Sequence, residues 1–120
     1  AASDVYKRQS FQLSKECALA KRYIDSNYSQ NITLDSLAEI THINKFYLAH
    51  SFTECVGQSP INYLTDRRLE ACKELLVSSN LSVAQVATSV GFSSQSYFSQ
   101  IFRKKTGMTP RQYRSRYARK

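Results

Sequence analysis

Residues Gly91–Pro110 read GFSSQSYFSQIFRKKTGMTP, a segment between two glycines with the apolar spacing of one helix. On that helix, Tyr97, Phe98, Ile101 and Phe102 would form a single buried stripe. The opposite face would carry Ser96, Ser99, Gln100 and Arg103. That face has short hydroxyls, an amide and a cation but no acid, and a weaker version of the segment lies fifty residues earlier.

The earlier segment belongs to an internal repeat that covers residues 34–63 and 83–113. Five landmarks of the first copy recur at an offset of 50 residues in the second. They are Leu48, Phe52, Gly57, Pro60 and Tyr63, which recur as Phe98, Phe102, Gly107, Pro110 and Tyr113. Two copies are too few for a solenoid, so we predict a duplicated small motif.

Helix-start and helix-stop residues mark the elements of this motif. Ser82–Gln85 and Thr109–Gln112 have the pattern of capping boxes, and Gly57 and Gly107 stand where a left-handed residue closes a helix. We predict an all-α fold with seven helices at about residues 15–28, 33–40, 44–56, 60–78, 83–90, 94–105 and 110–118. The fourth is the longest, and its apolar positions from Ile61 to Leu76 keep a helical period, as expected of a linker helix that serves both halves.

Each copy therefore contains a short helix, a tight turn and a second helix. This arrangement is the helix-turn-helix unit, in which the second helix enters the major groove of DNA. The acid-free face of Gly91–Pro110 fits that role, because hydroxyls, amides and arginine hydrogen-bond to base edges.

The charge is unevenly distributed along the chain. Residues 1–74 contain nine lysines and arginines against nine aspartates and glutamates, whereas residues 75–120 contain eight basic residues and no acid. The net charge of +8 therefore lies in the C-terminal part, from Arg103 to Lys120. This distribution predicts a surface that faces a polyanion, with nucleic acid favoured over a membrane.

The remaining composition excludes several protein classes. Cys17, Cys55 and Cys72 are odd in number and lack C-x-x-C spacing, which argues against a disulfide framework or a zinc site. We expect all three to be small core residues in a reducing cytoplasm. No apolar run has the length of a membrane span, and the sequence contains no common catalytic motif. We therefore predict no cofactor, no metal and no enzymatic activity.

The segment Val83–Arg114 resembles the second helix-turn-helix of the AraC/XylS family of bacterial transcription regulators. The shared signature consists of Gly91-Phe92, Tyr97-Phe98, Phe102, Gly107 and Thr109-Pro110. The resemblance runs from about Asn31 to Tyr117 and implies two helix-turn-helix subdomains joined by a long linker helix. We accordingly expect a linker or a cloning remnant over residues 1–14, a first subdomain over 15–58, the linker helix over 59–79, and a second subdomain with a basic C-terminal helix over 80–120.

By position, the resemblance implies DNA-contacting residues on both recognition helices. The expected base-contacting residues are Phe46, Ala49 and His50 on the first helix and Gln95, Ser96, Ser99, Gln100 and Arg103 on the second. Lys45, Lys104 and Lys105 are expected to contact phosphates. Phe46 and Ala49 suit apolar contact with thymine methyls, whereas glutamines pair with adenine.

Some of these residues also have simpler interpretations. Phe46 is alternatively a residue at the rim of the core, and His50 an ordinary surface histidine. Core packing is expected for most of the tyrosines at positions 47, 63, 97 and 113. His42 replaces the turn glycine that the family usually has, so we expect some left-handed strain at that residue.

Taken as a whole, the resemblance implies a sequence-specific duplex-DNA-binding domain that inserts two recognition helices into successive major-groove segments. The alternative is a basic helical protein-interaction module without sequence-specific DNA binding. The resemblance further implies a cytoplasmic transcription activator that contacts RNA polymerase. It also implies an effector-binding or dimerisation domain upstream, which these 120 residues do not include, so we expect an excised C-terminal fragment.

Overall fold

The computed structural model describes the backbone of residues 2–118 and the side chains of residues 15–118. It contains seven α-helices: α1 Ala2–Asn27, α2 Leu34–Thr41, α3 Lys45–Val56, α4 Pro60–Ser78, α5 Val83–Ser89, α6 Gln95–Thr106 and α7 Pro110–Tyr117. The described backbone contains no strand, so the predicted all-α class with seven helices is confirmed. None of the described helices has the length and apolarity that crossing a membrane requires.

The first helix is longer than predicted. It begins at Ala2 rather than near residue 15, because the intervening residues include neither proline nor glycine and so nothing that readily breaks a helix. The backbone of residues 2–14 is therefore helical, and the expectation that residues 1–14 are a linker or cloning remnant stays a prediction. The side chains of residues 1–14 lie outside the described part.

The chain divides into two compact units. The first comprises the residues up to Asn27 together with residues 32–65, and the second comprises residues 28–31 and the chain from Asp66 onward. The division falls within α4, whose first six residues belong to the first unit. The predicted subdomain limits at residues 58 and 80 stay predictions. The linker helix between them is continuous, and the two units divide within it rather than at a loop.

In the first unit, α1, α2 and α3 pack around an apolar core. Its large, fully buried side chains are Ile24, Leu37, Leu48 and Phe52. The Phe52 ring lies 5.8 Å from the Tyr63 ring in an edge-to-face arrangement, and the Tyr63 hydroxyl donates a 2.6 Å hydrogen bond to the Asp25 carboxylate. Burying each side chain of this size stabilises the fold by roughly 1.5–3 kcal/mol. This core fixes the inward face of α3.

The second unit has a more aromatic core. Phe98 and Phe102 are fully buried, and Phe92 is nearly so. Their rings form a continuous series of contacts, with centroids 5.2 Å apart for Phe92 and Phe98, 5.7 Å for Phe98 and Phe102, and 5.4 Å for Phe102 and Tyr113. Aromatic pairs at these separations add about 0.5–1.5 kcal/mol each beyond their buried area. This series fixes the inward face of α6.

Two arginines of the second unit bind distant backbone segments. Arg68 on α4 donates hydrogen bonds from Nε to the Tyr28 carbonyl at 2.6 Å and from Nη2 to the Gln30 carbonyl at 2.8 Å. Arg114 on α7 donates from Nε to the Leu76 carbonyl at 2.9 Å and from Nη2 to the Leu81 carbonyl. The first arginine holds residues 28–31 on the unit, and the second satisfies carbonyls at and beyond the end of α4.

The helix ends follow the predicted chemistry. The capping boxes Ser82–Gln85 and Thr109–Gln112 are both formed. A third box, Thr33–Ser36, was missed because serine rather than glutamate or glutamine occupies its N3 position. Gly57 and Gly107 close α3 and α6 in the left-handed conformation, with their N–H groups bonded four residues back at 2.9 and 2.8 Å. The prediction for both glycines is confirmed.

The three cysteines do not share one environment. Cys17 and Cys72 are buried, as predicted, whereas Cys55 is exposed near the end of α3. Burial raises the pKa of the Cys72 thiol to about 12, so that thiol stays protonated. The expectation that all three are core residues is wrong for Cys55. The equivalent position in the second repeat is Lys105, which is also exposed. That equivalence could have indicated an exposed position for Cys55, whereas the number of cysteines could not.

Candidate nucleic-acid interface

The outward face of α3 begins with an exposed aromatic side chain. Phe46 is 72% exposed, so the alternative of a core-rim residue is wrong. His50 is exposed and Ala49 is half-buried, whereas Leu48 and Phe52 point into the core and are fully buried. The three predicted base-contacting residues of α3 therefore retain access to solvent away from the core, and their contact with DNA stays a prediction.

The outward face of α6 is polar and carries no acid. Gln95, Ser96, Gln100 and Arg103 are exposed, and Ser99 is half-buried. These side chains offer amide, hydroxyl and guanidinium groups, which together donate to or accept from every base-pair type in the major groove. All five predicted base-contacting residues of α6 thus have the accessibility that this role needs.

The two recognition helices repeat one pattern of burial. Residues 48 and 98 are buried, residues 49 and 99 are half-buried, residues 50 and 100 are exposed, residues 52 and 102 are buried, and residues 53 and 103 are exposed. The correspondence continues past the closing glycines, where Tyr63 meets Phe52 and Tyr113 meets Phe102 edge to face. The internal repeat therefore holds at the level of packing as well as sequence.

Two tyrosines occupy positions that the sequence did not predict. Tyr47 is 68% exposed and Tyr97 is 51% exposed, so core packing is wrong for both. Tyr63 and Tyr113 are half-buried against their phenylalanines. The proposed buried stripe of α6 is correct for its phenylalanines but not for Tyr97, whose ring rests 6.1 Å from Phe92 at the edge of the core. Ile61, the first of the apolar positions on α4, is 44% exposed.

Two of the three predicted phosphate-contacting lysines already form an ion pair with a carboxylate. The Lys45 ammonium lies 3.2 Å from the Asp35 carboxylate, and the Lys105 ammonium lies 3.4 Å from that of Asp66. Both pairs are solvent-accessible, and such pairs contribute only about 0–1 kcal/mol. A phosphate can therefore replace either acid at small cost. Lys104 is exposed on α6.

The basic C-terminal part is not uniformly available to a polyanion. Arg114 is directed into the unit by its bonds to the Leu76 and Leu81 carbonyls, so counting its charge on the outer surface was wrong. Arg103, Lys104 and Lys105 all lie in the last turn of α6. Cations in that turn stabilise the helix through its dipole, so they have a structural role besides any contact with phosphate.

An acid on α3 was missed by the sequence reasoning. The Glu54 carboxylate lies 3.0 Å from His50 Nε2, one helical turn away, and both side chains are largely exposed. The signal was present in the repeat, because Glu54 is the equivalent of Lys104 and both positions face outward. In the described part of the chain, no cluster of three or more histidine, cysteine, aspartate or glutamate side chains is suited to a metal ion.

Comparison with known proteins agrees with this geometry. Residues 37–116 match the family described as "Helix-turn-helix domain". The chain is 34% identical over 96 residues to the Bacillus subtilis protein named "Bifunctional transcriptional activator/DNA repair enzyme AdaA", covering 80% of this chain and 46% of that protein. Among solved structures, the C-terminal domain of AraT, a response regulator from Geobacillus stearothermophilus, superposes with a TM-score of 0.86 at 37% identity and covers 90% of each chain.

A further solved structure carries the nucleic acid itself. The DNA-binding domain of AdpA, a global transcriptional factor in complex with a target DNA, matches with a TM-score of 0.74 at 26% identity, covering 88% of this chain and 91% of that one. The chain belongs to the AraC family of helix-turn-helix DNA-binding domains. It spans less than half the length of the curated relatives it first matches.

Within this AraC-family domain, the turns before the two recognition helices differ. His42 has φ 60° and ψ 29°, which confirms the predicted left-handed conformation. It is the one non-glycine residue with a positive φ in the described backbone. Gly91 in the second unit has φ 106°, and a Cβ there would lie 2.9 Å from both Arg68 Nε and the Ser29 carbonyl oxygen. The first turn therefore tolerates a side chain that the second has no room for.

Arg68 is the residue that sequence reasoning overlooked at this turn. Its guanidinium lies 5.8 Å from the centre of the Phe92 ring, and burial lowers its pKa from a very high ordinary value, so it stays charged. Since Phe92 packs on Phe98 of α6, Arg68 supports the turn from which the second recognition helix starts. Only the tertiary structure brings α4 to this turn, so no local motif could have indicated the contact.

Proposed function

We propose that the domain recognises a specific duplex DNA sequence by inserting α3 and α6 into successive major-groove segments. The half-sites would lie on one DNA face about one helical turn, or roughly 34 Å, apart. The observation that carries this proposal is the repeated burial pattern of α3 and α6, which leaves the equivalent positions of both helices open to a groove. The DNA complex of the related AdpA domain supports it.

The two helices are proposed to read DNA by different chemistry. On α6, Gln95, Ser96, Ser99, Gln100 and Arg103 provide hydrogen bonds to base edges. On α3, Phe46 and Ala49 provide apolar contacts to thymine methyls, and His50 provides the main polar contact. We therefore expect the half-site under α6 to carry more hydrogen-bonded discrimination, and the half-site under α3 to depend more on apolar contact and DNA shape.

Affinity is proposed to come largely from contacts with phosphates. The proposed contacts on the recognition helices are Lys45, Lys104 and Lys105. Lys45 and Lys105 would exchange their carboxylate partners for phosphate oxygens on binding DNA. With roughly 6–10 phosphate contacts in total, the logarithm of the affinity should fall against the logarithm of salt concentration with a slope of about −5 to −9. The uneven distribution of charge, with all of the net +8 after residue 74, supports this.

For the whole protein we propose a cytoplasmic transcription activator that contacts RNA polymerase and carries an effector-binding or dimerisation domain upstream. The relative AdaA is named as both a transcriptional activator and a DNA repair enzyme. For the two helix-turn-helix units we propose DNA binding without catalysis. The polar groups on α3 and α6 suit base edges, and the relatedness to AraC-type domains supports that role.

The test is selection of bound sequences from a random duplex library, followed by measurement of the salt dependence on the selected site. Two enriched half-sites with centres about 10 base pairs apart are expected, with higher information content under α6. Enrichment of no sequence, together with a steep salt response, would instead favour the alternative of a basic module without sequence specificity. Higher information content under α3 would contradict the proposed division between the helices.

A further inference from the structure

Two cysteines of the first unit lie where α1 packs against α3. Cys17 on α1 is 2% exposed, and its Sγ lies 3.2 Å from Ser51 Oγ on α3, to which it donates a hydrogen bond. Ser51 and Cys55 are four residues apart on α3 and therefore project from the same side of that helix. Cys17 and Cys55 also line one surface cavity, together with Ala18, Lys21 and Val56.

The two thiols line the same cavity but differ in access. Burial raises the pKa of the Cys17 thiol, the hydrogen bond to Ser51 opposes this, and the neighbouring Cys55 raises the pKa further. Cys17 is therefore held as a neutral thiol within the unit, whereas Cys55 is exposed. Such a pair has the arrangement of an accessible thiol that reacts first and an adjacent thiol that completes the reaction.

We propose that Cys17 and Cys55 form a reversible disulfide that ties α1 to the recognition helix α3 and makes the domain responsive to oxidation. Cys72 takes no part, because it is buried in the other unit. The oxidant is a small disulfide of the glutathione type, since thiol–disulfide exchange needs only a thiolate and access to its sulfur.

The chemistry proceeds in two exchanges. The Cys55 thiolate attacks one sulfur of the small disulfide, forming a mixed disulfide and releasing one small thiolate. Cys17 then loses its proton to solvent and attacks the Cys55 sulfur, releasing the second small thiolate. The protein gains one S–S bond and loses two electrons, the small disulfide is reduced to two thiols, and the two cysteine protons end on those thiols.

Closing this bond changes the recognition helix. A disulfide sulfur carries no proton, so Cys17 loses the hydrogen bond that it donates to Ser51, and the specific geometry of the S–S bond then ties α1 to the last turn of α3. Phe46, Ala49 and His50 lie on that same helix, and their alignment with a groove depends on how α3 is seated. The effect on DNA rests on the proposed function, whereas formation of the disulfide does not.

The first experiment treats the folded 120-residue chain with oxidised glutathione and measures intact mass. The wild-type chain should lose two hydrogen atoms without retaining glutathione. The Cys17→Ala variant should retain one glutathione on Cys55, because the second thiol is missing, and the Cys55→Ala variant should stay unmodified. The Cys72→Ala variant should behave as the wild type and serves as the matched control.

Three outcomes would overturn the disulfide. These are stable glutathione on Cys55 in the wild type, equal modification of the Cys55→Ala variant, or a covalent dimer in place of the internal bond. Circular dichroism checks that the variants are folded. Should Cys17→Ala fail that check, Cys17→Ser replaces it in the same comparison.

The second experiment compares binding of the selected duplex by reduced and oxidised protein. Oxidation should weaken binding by about tenfold, as losing one base contact does, and a reducing agent should restore it. In the Cys55→Ala variant, oxidant should have no effect. Unchanged affinity with the disulfide formed would overturn the regulatory part of the proposal. Absence of specific binding by the reduced protein would overturn the proposed function and leave the mass result standing.

Discussion

The two helix-turn-helix halves are alike on the inside and different on the outside. Both recognition helices bury residues at equivalent positions, both end at a left-handed glycine, and both are followed by a tyrosine edge-on to a buried phenylalanine. The last turn of α6 carries three cations, whereas that of α3 carries Glu54 and no basic residue. The two copies of the motif therefore share the buried positions that packing requires, and they differ in the chemistry of their exposed side chains.

The largest expected effect on stability concerns the buried phenylalanines that both halves share. Replacing Phe52 or Phe102 with alanine should lower the free energy of unfolding by about 3–5 kcal/mol in either half, because each ring is fully buried and supports a tyrosine. Urea denaturation followed by circular dichroism measures both. The matched control is Phe46→Ala, which should change stability by no more than about 0.5 kcal/mol. A large loss in that control would mean that Phe46 packs in the core.

A second substitution tests the turn that differs between the halves. Gly91→Ala adds a Cβ at φ 106° where Arg68 and the Ser29 carbonyl already stand at 2.9 Å. Left-handed strain of about 1 kcal/mol and overpacking of about 1–3 kcal/mol should combine to destabilise the second unit. Gly107→Ala has a φ of 80° but no atom within 4 Å, so it should show the strain alone. Equal losses for the two variants would contradict the close packing around Gly91.

The third effect concerns the outer face of α6. Arg103→Ala and Gln100→Ala should each weaken binding to the selected duplex by about 1–3 kcal/mol and relax the base preference beneath them. Fluorescence anisotropy titration on matched and single-base-substituted duplexes measures both effects. Lys73→Ala on α4 removes the same charge as Arg103→Ala, from a residue already paired with Glu70 at 3.0 Å. Equal, small effects for all three would show that α6 has been given the wrong role.

The smallest effect lies in the first turn. His42→Gly should relieve left-handed strain of up to about 1 kcal/mol, while the added freedom of the unfolded chain removes about 0.4–1 kcal/mol of stability. At the upper value of the strain, the net change should therefore lie between zero and a gain of about 0.6 kcal/mol, measured by urea denaturation. A clear loss of stability would mean that the His42 side chain makes contacts worth more than its strain.

These halves also show what the sequence can predict and what it cannot. Helix number and two capping boxes followed from local rules, because caps, glycines and apolar period act over one or two turns. The left-handed His42 followed from the resemblance to a family that usually has a glycine at that turn. The exposure of Tyr47 and Tyr97 did not, since an aromatic at the edge of an apolar stripe is buried only if another element covers it. Cys55 was misassigned for a related reason, because cysteine is usually a core residue and only its register with Lys105 indicated otherwise.

The site was partly predictable on the same basis. Which side chains of α3 and α6 face outward followed from the helical period, and the structure agrees for all eight proposed base readers to the extent that each is exposed or half-buried. The partners of the basic side chains could not be predicted in this way. Lys45 pairs with an acid 10 residues away, Lys105 with one 39 residues away, and Arg114 with a carbonyl 38 residues away. Contacts between helices decide those pairings, and no local pattern encodes them.

The arginines of the second unit also determine how that unit assembles. Arg68 bonds to carbonyls that lie 40 and 38 residues away from it in the sequence. Arg114 bonds to carbonyls that lie 38 and 33 residues away. Loop-closure entropy has to be overcome before such contacts form, although it rises by only about 0.6 kcal/mol for each doubling of loop length. We therefore expect the turn before α6 and the end of α4 to be completed after the local helices, whose hydrogen bonds close no long loop. Their amide protons should consequently exchange with solvent together, through one cooperative opening of the second unit rather than by separate fraying of its helices.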